Sequence, residues 1–229
     1  MRVPFAKYGY RELIIFSVLF GALAVIIGSL VWWPLAVVFG VPFCIVVWFF
    51  RDPHRTVPDE EGALVAPADG TITDITEVEG AEFIDGPATR IGIFLSILSV
   101  HINRAPCAGR VSYIKYHEGK FIAAMRPGAS SDNEANSVGM ILPDRNDEKI
   151  LVKQISGSIA RRIVCACREG DGLSRGERFG MIKFGSRTEL FVSRALQFDA
   201  TVSVGQKVRA GACIVGRFRA GPPQEEPGA

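Results

Sequence analysis

Gly180-Met181-Ile182-Lys183-Phe184-Gly185-Ser186-Arg187-Thr188-Glu189-Leu190-Phe191-Val192 consists of two apolar runs that read as strands, broken by a Gly-Ser pair. Outward from it, the chain beyond Thr56 keeps the same character, with short β-type runs punctuated by Gly, Pro, Asp and Asn. Strands are expected at Thr71–Val78, Arg90–Ile97, Arg110–Tyr116, Val138–Leu142, Ile150–Ile155, Ile159–Cys167, Met181–Phe184, Glu189–Ser193, Thr201–Val204 and Ala212–Phe218. Gly119–Met125 alone suggests a short helix, ended by Arg126-Pro127-Gly128. Gly128–Ser137 reads as a loop able to cover a site, and Gly221–Ala229 as a frayed tail.

A Gly-Ser pair is most often a turn. It also admits a specific chemistry, because glycine leaves the carbonyl of residue 185 open to the hydroxyl of residue 186. An N-to-O acyl shift there turns the peptide bond into an ester. Loss of the Ser186 α-proton then eliminates the ester, cutting the chain and leaving dehydroalanine, which tautomerises and hydrolyses to a pyruvoyl group. Such a ketone condenses with amines and acts as an electron sink.

Other segments accompany this pair in a defined order. They are Phe50-Arg51-Asp52-Pro53-His54-Arg55, Ala66-Pro67-Ala68-Asp69-Gly70, Ile93-Phe94-Leu95-Ser96 and Val100-His101-Ile102-Asn103-Arg104-Ala105-Pro106. Gly119-Lys120-Phe121, Asn133-Glu134-Ala135-Asn136, Gln154-Ile155-Ser156-Gly157 and Ala160-Arg161-Arg162-Ile163-Val164-Cys165 complete the set. From about residue 50 to about residue 218 this pattern closely resembles the short-form, pyruvoyl-dependent phosphatidylserine decarboxylases. The resemblance implies a lyase that cleaves itself into fragments 1–185 and 186–229, which stay associated. It implies conversion of phosphatidylserine to phosphatidylethanolamine and CO2 through a Schiff base to a pyruvoyl cofactor made from Ser186. The implied catalytic residues are Ser186, His101 and Asp69, with cleavage between Gly185 and Ser186. Asn133, Glu134 and Arg104 are candidate substrate-binding residues. One departure matters: long-form relatives carry a second histidine where this chain has Arg104, and short forms often carry Asp where it has Ser99. Arginine stays protonated and cannot serve as a general base, so His101, oriented by Asp69, is expected to move protons in decarboxylation, and whether it serves self-cleavage as well is left open.

No charged residue occurs between Leu13 and Phe50, a stretch of 38 residues, nearly twice the roughly 20 needed for one helical span. Trp32-Trp33-Pro34 divides it, so a membrane hairpin is expected, Leu13–Val31 out and Leu35–Phe50 back. The second leg is short and contains Gly40 and Pro42, which leaves a shallow or re-entrant hairpin open. Arg2, Lys7 and Arg11 precede the hairpin and Arg51 and Arg55 follow it. The positive-inside rule therefore puts the catalytic domain on the cytoplasmic face of the cell membrane. A signal peptide is the competing reading of residues 1–31, but no small-residue cleavage site follows. The domain division is residues 1–55 for the hairpin and 56–229 for the decarboxylase domain. Since the motifs nearly all lie beyond Phe50, loss of residues 1–50 is expected to harm membrane association more than self-cleavage.

The expected fold is mainly β: a β-sandwich or barrel-like catalytic domain with a swapped or hybrid-type sheet, preceded by the helical hairpin. Ala66–Ile72 and Val204–Gly211 echo the two halves of biotinyl/lipoyl-type sandwiches. The second function class is thus a membrane-tethered carrier module, although no lysine-bearing hairpin is present. Within the enzyme class, another serine-headgroup lipid is the alternative substrate. A net charge of +2 and the lack of a basic run argue against nucleic acid. Five cysteines, an odd number, read as reduced thiols, and Cys165 and Cys167 have no clustered ligands for a metal. A homo-oligomer is compatible with the sequence. His54 beside the hairpin and His117 at a strand end read as surface groups, and Arg161 and Arg162 as phosphate contacts or exposed strand positions.

Overall fold

The structure, a computed structural model, describes residues 5–30, 33–126, 128–158, 162–183 and 186–219. Val31, Trp32, Arg161, Phe184, Gly185 and the tail from residue 220 lie outside the described residues.

Two apolar helices come first, α1 (Tyr10–Leu30) and α2 (Leu35–Phe49), packed side by side as a hairpin. Pro34 caps α2, where its missing N–H costs nothing, while Pro42 sits inside the helix. Lys7–Leu30 is long enough to cross a bilayer, with a mean hydropathy of 2.7 in its most apolar window, and that window is unburied. The hairpin's base is not free of the β domain. Ala6, Phe49 and Phe50 are buried with Val100, Ile102 and Met181, and Tyr8, Leu13, Val46 and Val164 pack around them. Ala6 N–H donates to Phe50 O at 2.8 Å, tying the two ends of the hairpin together.

The rest is β structure. In chain order the strands are β1 (Ala63–Val65), β2 (Gly70–Val78), β3 (Ala88–Leu95), β4 (Ile102–Arg104), β5 (Gly109–His117), β6 (Ala135–Leu142) and β7 (Glu148–Ile155). They continue with β8 (Ile163–Cys165), β9 (Gly172–Leu173), β10 (Arg178–Ile182), β11 (Ser186–Ser193), β12 (Phe198–Ala200), β13 (Lys207–Val208) and β14 (Ile214–Phe218). A one-turn helix, α3 (Ala129–Asp132), precedes β6. The large sheet runs β13-β2-β3-β11-β7-β6-β5-β9 and curls into a half-barrel. Two three-stranded sheets, β1-β14-β12 and β4-β10-β8, accompany it. The molecule is thus mainly β with an apolar helical N-terminus, as the sequence implies.

β11 is the strand on which everything turns. It pairs antiparallel with β3 on one side and β7 on the other, and all eight of its residues are buried. Leu190 and Val192 point into the main core with Ile91, Ile93, Val138, Met140 and Val152. Each such side chain is worth about 1.5–3 kcal/mol of apolar burial. Arg187 and Glu189 point to the opposite face, where charge pairing replaces apolar packing. Arg187 Nε donates to Glu189 Oε1 at 2.8 Å, and its guanidinium also binds Asp74 and Thr73. Burial pushes the Asp74 carboxyl up, but hydrogen bonds from Arg187 and Thr73 and the charge of Arg90 hold it below its ordinary range. A cavity of about 790 Å³ opens on this face, lined by Arg90, Lys153, Arg187 and Glu189 among others.

The expected strands from Thr71 to Ile155 are present with their ends moved by a few residues. Three expectations differ. Thr201–Val204 is irregular and the strand lies just before it, as β12, because Phe198, Asp199 and Ala200 are the residues in register with β14. Gly119–Met125 is not helical: Lys120 bridges Asn133, and the chain passes so close there that a Cβ on Gly119 would press on the Asn133 carbonyl carbon. The helical turn falls instead at α3, inside the expected loop.

Candidate active site

Ser186 is the first residue of β11, opposite Leu95 of β3. It is fully buried, and its Oγ has no hydrogen-bond partner among the described residues. A buried hydroxyl left in this state costs about 1–3 kcal/mol, so it calls for an explanation.

Register extends the observation. Ile155 lies between Arg187 and Ala135, so the next residues along these strands are Ser186, Ser156 and Glu134. The Ser156 N–H donates to Glu134 O at 2.9 Å, which continues the ladder into this row. Ser156 Oγ and Glu134 Oε2 are also buried without hydrogen-bond partners, while Glu134 Oε1 accepts from the Tyr116 hydroxyl at 2.7 Å. Three neighbouring residues thus each keep an unspent oxygen.

One step further along the strands, every polar group is used. Asn136 Nδ2 donates to Gln154 Oε1 at 2.9 Å, Gln154 Nε2 to Asn103 Oδ1 at 2.9 Å, and Asn103 Nδ2 to Thr188 Oγ1 at 3.1 Å. This buried chain fastens β4 across β11, β7 and β6. Thr188 shares a face with Ser186, and His101 shares one with Asn103, because strand neighbours two apart point the same way. The His101 carbonyl accepts from Ile182 N–H at 3.1 Å, which keeps residue 101 on the ladder beside β10.

His101 is fully buried. Its Nδ1 lies 2.9 Å from the Ser99 carbonyl. A carbonyl only accepts, so in that bond Nδ1 carries the proton and Nε2 keeps a lone pair. Burial is the main cause that pushes the imidazole down to about 4, with the Arg51 charge acting in the same direction. The Phe49 ring lies 4.3 Å from the imidazole, centre to centre. The ring is therefore a neutral base at pH 7, held by Ser99.

Asp69 is engaged elsewhere. Its Oδ2 accepts from Arg55 Nη2 at 2.7 Å and its Oδ1 from Ala210 N–H at 2.8 Å. Among the described residues no hydrogen bond joins Asp69 to His101, and the Ser99 carbonyl holds the Nδ1 side of the imidazole. Burial raises the Asp69 carboxyl above the ordinary range, against the pull of Arg55. Arg104 is likewise committed, donating to Gly176 O at 3.0 Å and pairing with Asp52 at 3.1 Å. Asn133 spends its amide on backbone, with Nδ2 on Ile122 O and Ser156 O and Oδ1 on Ile122 N–H. It fastens the segment before α3 to the end of β7. Gly185 lies outside the described residues. His117 pairs with Glu82 at 2.7 Å, away from this row. The five cysteines are unbridged, Cys165 and Cys167 having their sulfurs 3.6 Å apart.

The sequence singles out Ser186, His101 and Glu134 as candidates, but not Asn103, Gln154, Asn136 and Thr188 as a connected unit. Four polar residues from four segments carry no local signal, although Asn103 and Gln154 stand inside the motifs quoted above.

The sequence profile of the phosphatidylserine decarboxylase family matches residues 44–216. A phosphatidylserine decarboxylase proenzyme of Rhodopirellula baltica is 45% identical over 219 residues, 96% of this chain and 90% of the relative. One from Carboxydothermus hydrogenoformans is 43% identical over 210 residues, 92% of this chain and 96% of its own length. One from Salinibacter ruber is 45% identical over 175 residues, 76% of this chain and 75% of that protein.

Proposed function

The chain belongs to the phosphatidylserine decarboxylase family of carboxy-lyases, and we propose that it converts phosphatidylserine to phosphatidylethanolamine and CO2 through a pyruvoyl group made from its own Ser186. The observation that carries this reading is the buried, unpartnered Ser186 Oγ at the start of β11. An oxygen that is to attack its own backbone needs a lone pair not already spent on a donor. The residues around it fit the group it is to become, since Ser156 Oγ and Glu134 Oε2 also stand ready for an incoming polar headgroup.

In this reading Ser186 Oγ adds to the Gly185 carbonyl carbon and its proton passes to His101 Nε2. The Gly185–Ser186 C–N bond then breaks, the nitrogen takes a proton, and an ester links residues 185 and 186. Removal of the Ser186 α-proton expels the Gly185 carboxylate and opens the chain. His101 is neutral and so able to accept a proton at physiological pH. Asp69, bound to Arg55 and Ala210, acts on the site through the chain around it rather than on the imidazole. The pyruvoyl ketone supplies the electron sink for loss of CO2. Glu134 Oε2 offers a buried acceptor to the substrate amino group, and Ser156 Oγ a donor to its carboxylate. Asn133 and Arg104 support this row as positioning residues, since their own polar atoms are spent on the protein.

The apolar hairpin supports a membrane location, where a two-chain lipid need not leave the bilayer. At about 0.8 kcal/mol per CH2, full extraction would be prohibitive. Arg11, Arg51 and Arg55 at its base support a cytoplasmic catalytic domain. Residues 1–55 and 56–229 remain the natural division by composition, and the fragments 1–185 and 186–229 stay together because β11 is hydrogen-bonded to β3 and β7.

Intact mass of the purified, denatured protein tests the reading. Two fragments are expected, the smaller one blocked to N-terminal sequencing, together with CO2 release from phosphatidylserine vesicles. A single full-length chain that still releases CO2 would overturn the pyruvoyl mechanism.

A further inference from the structure

The Glu12 carboxylate, in the first turn of α1, accepts from Lys183 Nζ at 2.7 Å. Lys183 follows β10 directly and stands three residues before Ser186. Its side chain is only 6% exposed, and its N–H donates to Arg162 O at 3.1 Å. Arg162 in turn reaches Glu12 at 4.0 Å. An ammonium buried to this degree requires an opposite charge, and Glu12 is the carboxylate paired with it among the described residues.

The counter-charge is therefore supplied by a helix whose composition otherwise suits a bilayer. A second observation places the same hairpin base on the other flank of the site. Phe49 of α2 lies against the His101 ring, and Phe49 and Phe50 are buried with Val100, Ile102 of β4 and Met181 of β10. The hairpin base thus touches the strand that carries the base and the strand that leads to the nucleophile.

We infer that Glu12 is a positioning residue for self-processing: by neutralising Lys183 it fixes the end of β10 from which the chain runs into Ser186. This rests on the reading of Ser186 as the processed residue. It also assigns the hairpin a part in maturation, where the sequence alone suggests only an anchor.

The test uses the full-length chain expressed in cells, with fragment appearance followed by pulse-chase on denaturing gels and membrane recovery followed in parallel. Glu12→Gln should slow fragment appearance at least about tenfold, because it leaves a buried charge unpaired, while the protein stays in the membrane fraction. The exchanged pair, Glu12→Lys with Lys183→Glu, should bring the rate back to within about threefold of wild type by restoring the attraction with its sign reversed. Processing of Glu12→Gln at the wild-type rate would overturn the inference. So would slow processing in Glu12→Gln that the exchanged pair fails to rescue, whether or not the single variant folds. A wild-type chain that is never cut would instead overturn the reading of Ser186, so the two failures are distinguishable.

Discussion

His101 is a neutral imidazole inside the protein, and this has a measurable cost in acid. Its value in the folded chain, about 4, lies below the ordinary 6.5 or so. The unfolded chain therefore binds a proton first as pH falls, and folded stability is lost between about pH 6.5 and 4, by roughly 3 kcal/mol in total. Above that window the loss is absent. Urea midpoints in detergent at pH 7 and pH 4.5, measured on uncut Ser186→Ala protein with and without His101→Gln, should show a smaller acid loss in the double variant. Equal losses would mean that His101 is not held neutral. Ser156 makes a different prediction. Its unpartnered Oγ gains nothing inside the free protein, so Ser156→Ala in the uncut background should leave the unfolding free energy from urea titration unchanged or raise it by up to about 1 kcal/mol. The same change in the active enzyme should raise KM for phosphatidylserine more than it lowers kcat. A clear drop in stability would show that the hydroxyl is a structural partner instead.

Among the elements, the polar chain Asn136–Gln154–Asn103–Thr188 holds β4 to the large sheet, so it should be sensitive to single deletions. Asn103→Ala strands Gln154 Nε2 and the Thr188 hydroxyl together, at about 1–3 kcal/mol for each group left unmade. A fall in urea midpoint of about 1 M or more with slower processing is the expected result, and an unchanged midpoint would remove the network from the account. The hairpin can be measured too. The 15 residues of α2 rise only about 22 Å, short of the ~30 Å hydrocarbon core, and its last residue, Phe49, is already buried in the β domain. Trp33, at the turn and 73% exposed, should therefore remain inside the bilayer. In a variant with Trp32→Phe and Trp48→Phe, Trp33 fluorescence should respond to brominated lipids and not to an impermeant quencher on the far side. Quenching from the far side would show a full crossing.

For the molecule as a whole, the long strands were legible in the sequence because their apolar patterns are continuous and their ends carry turn residues. β2, β3, β5, β6 and β7 all lie where those patterns put them. The short strands β1, β4, β9 and β13 were not, because two or three residues carry no period and their pairing is decided by distant partners such as Ile214, Met181, Gly109 and Thr71. β11 was seen only from Glu189 onward. Its first half, Ser-Arg-Thr, looks polar because one face serves the site and the other a buried ion network. Ser186 and His101 could be picked out by motif, whereas the hold of Ser99 on the Nδ1 side of the imidazole could not, since it comes from a backbone carbonyl. Asp69 drew attention as a partner for His101, yet the fold gives it to Arg55.

β11 is fourth in the large sheet, between two strands contributed by the other side of the proposed cut. Before the cut, β11 finds its place as part of one chain; after it, the same assembly becomes a meeting of two molecules, with the lost translational freedom that any association carries. Diluted out of denaturant, Ser186→Ala protein should regain its fold with a yield independent of concentration, while cut enzyme should recover in proportion to concentration or not at all. Equal recovery would mean the smaller fragment is not needed to build the sheet. Loss of the peptide bond at Ser186, as proposed, would act as a ratchet: a molecule that matures would have a single folding history, and the cell could replace it but not renature it.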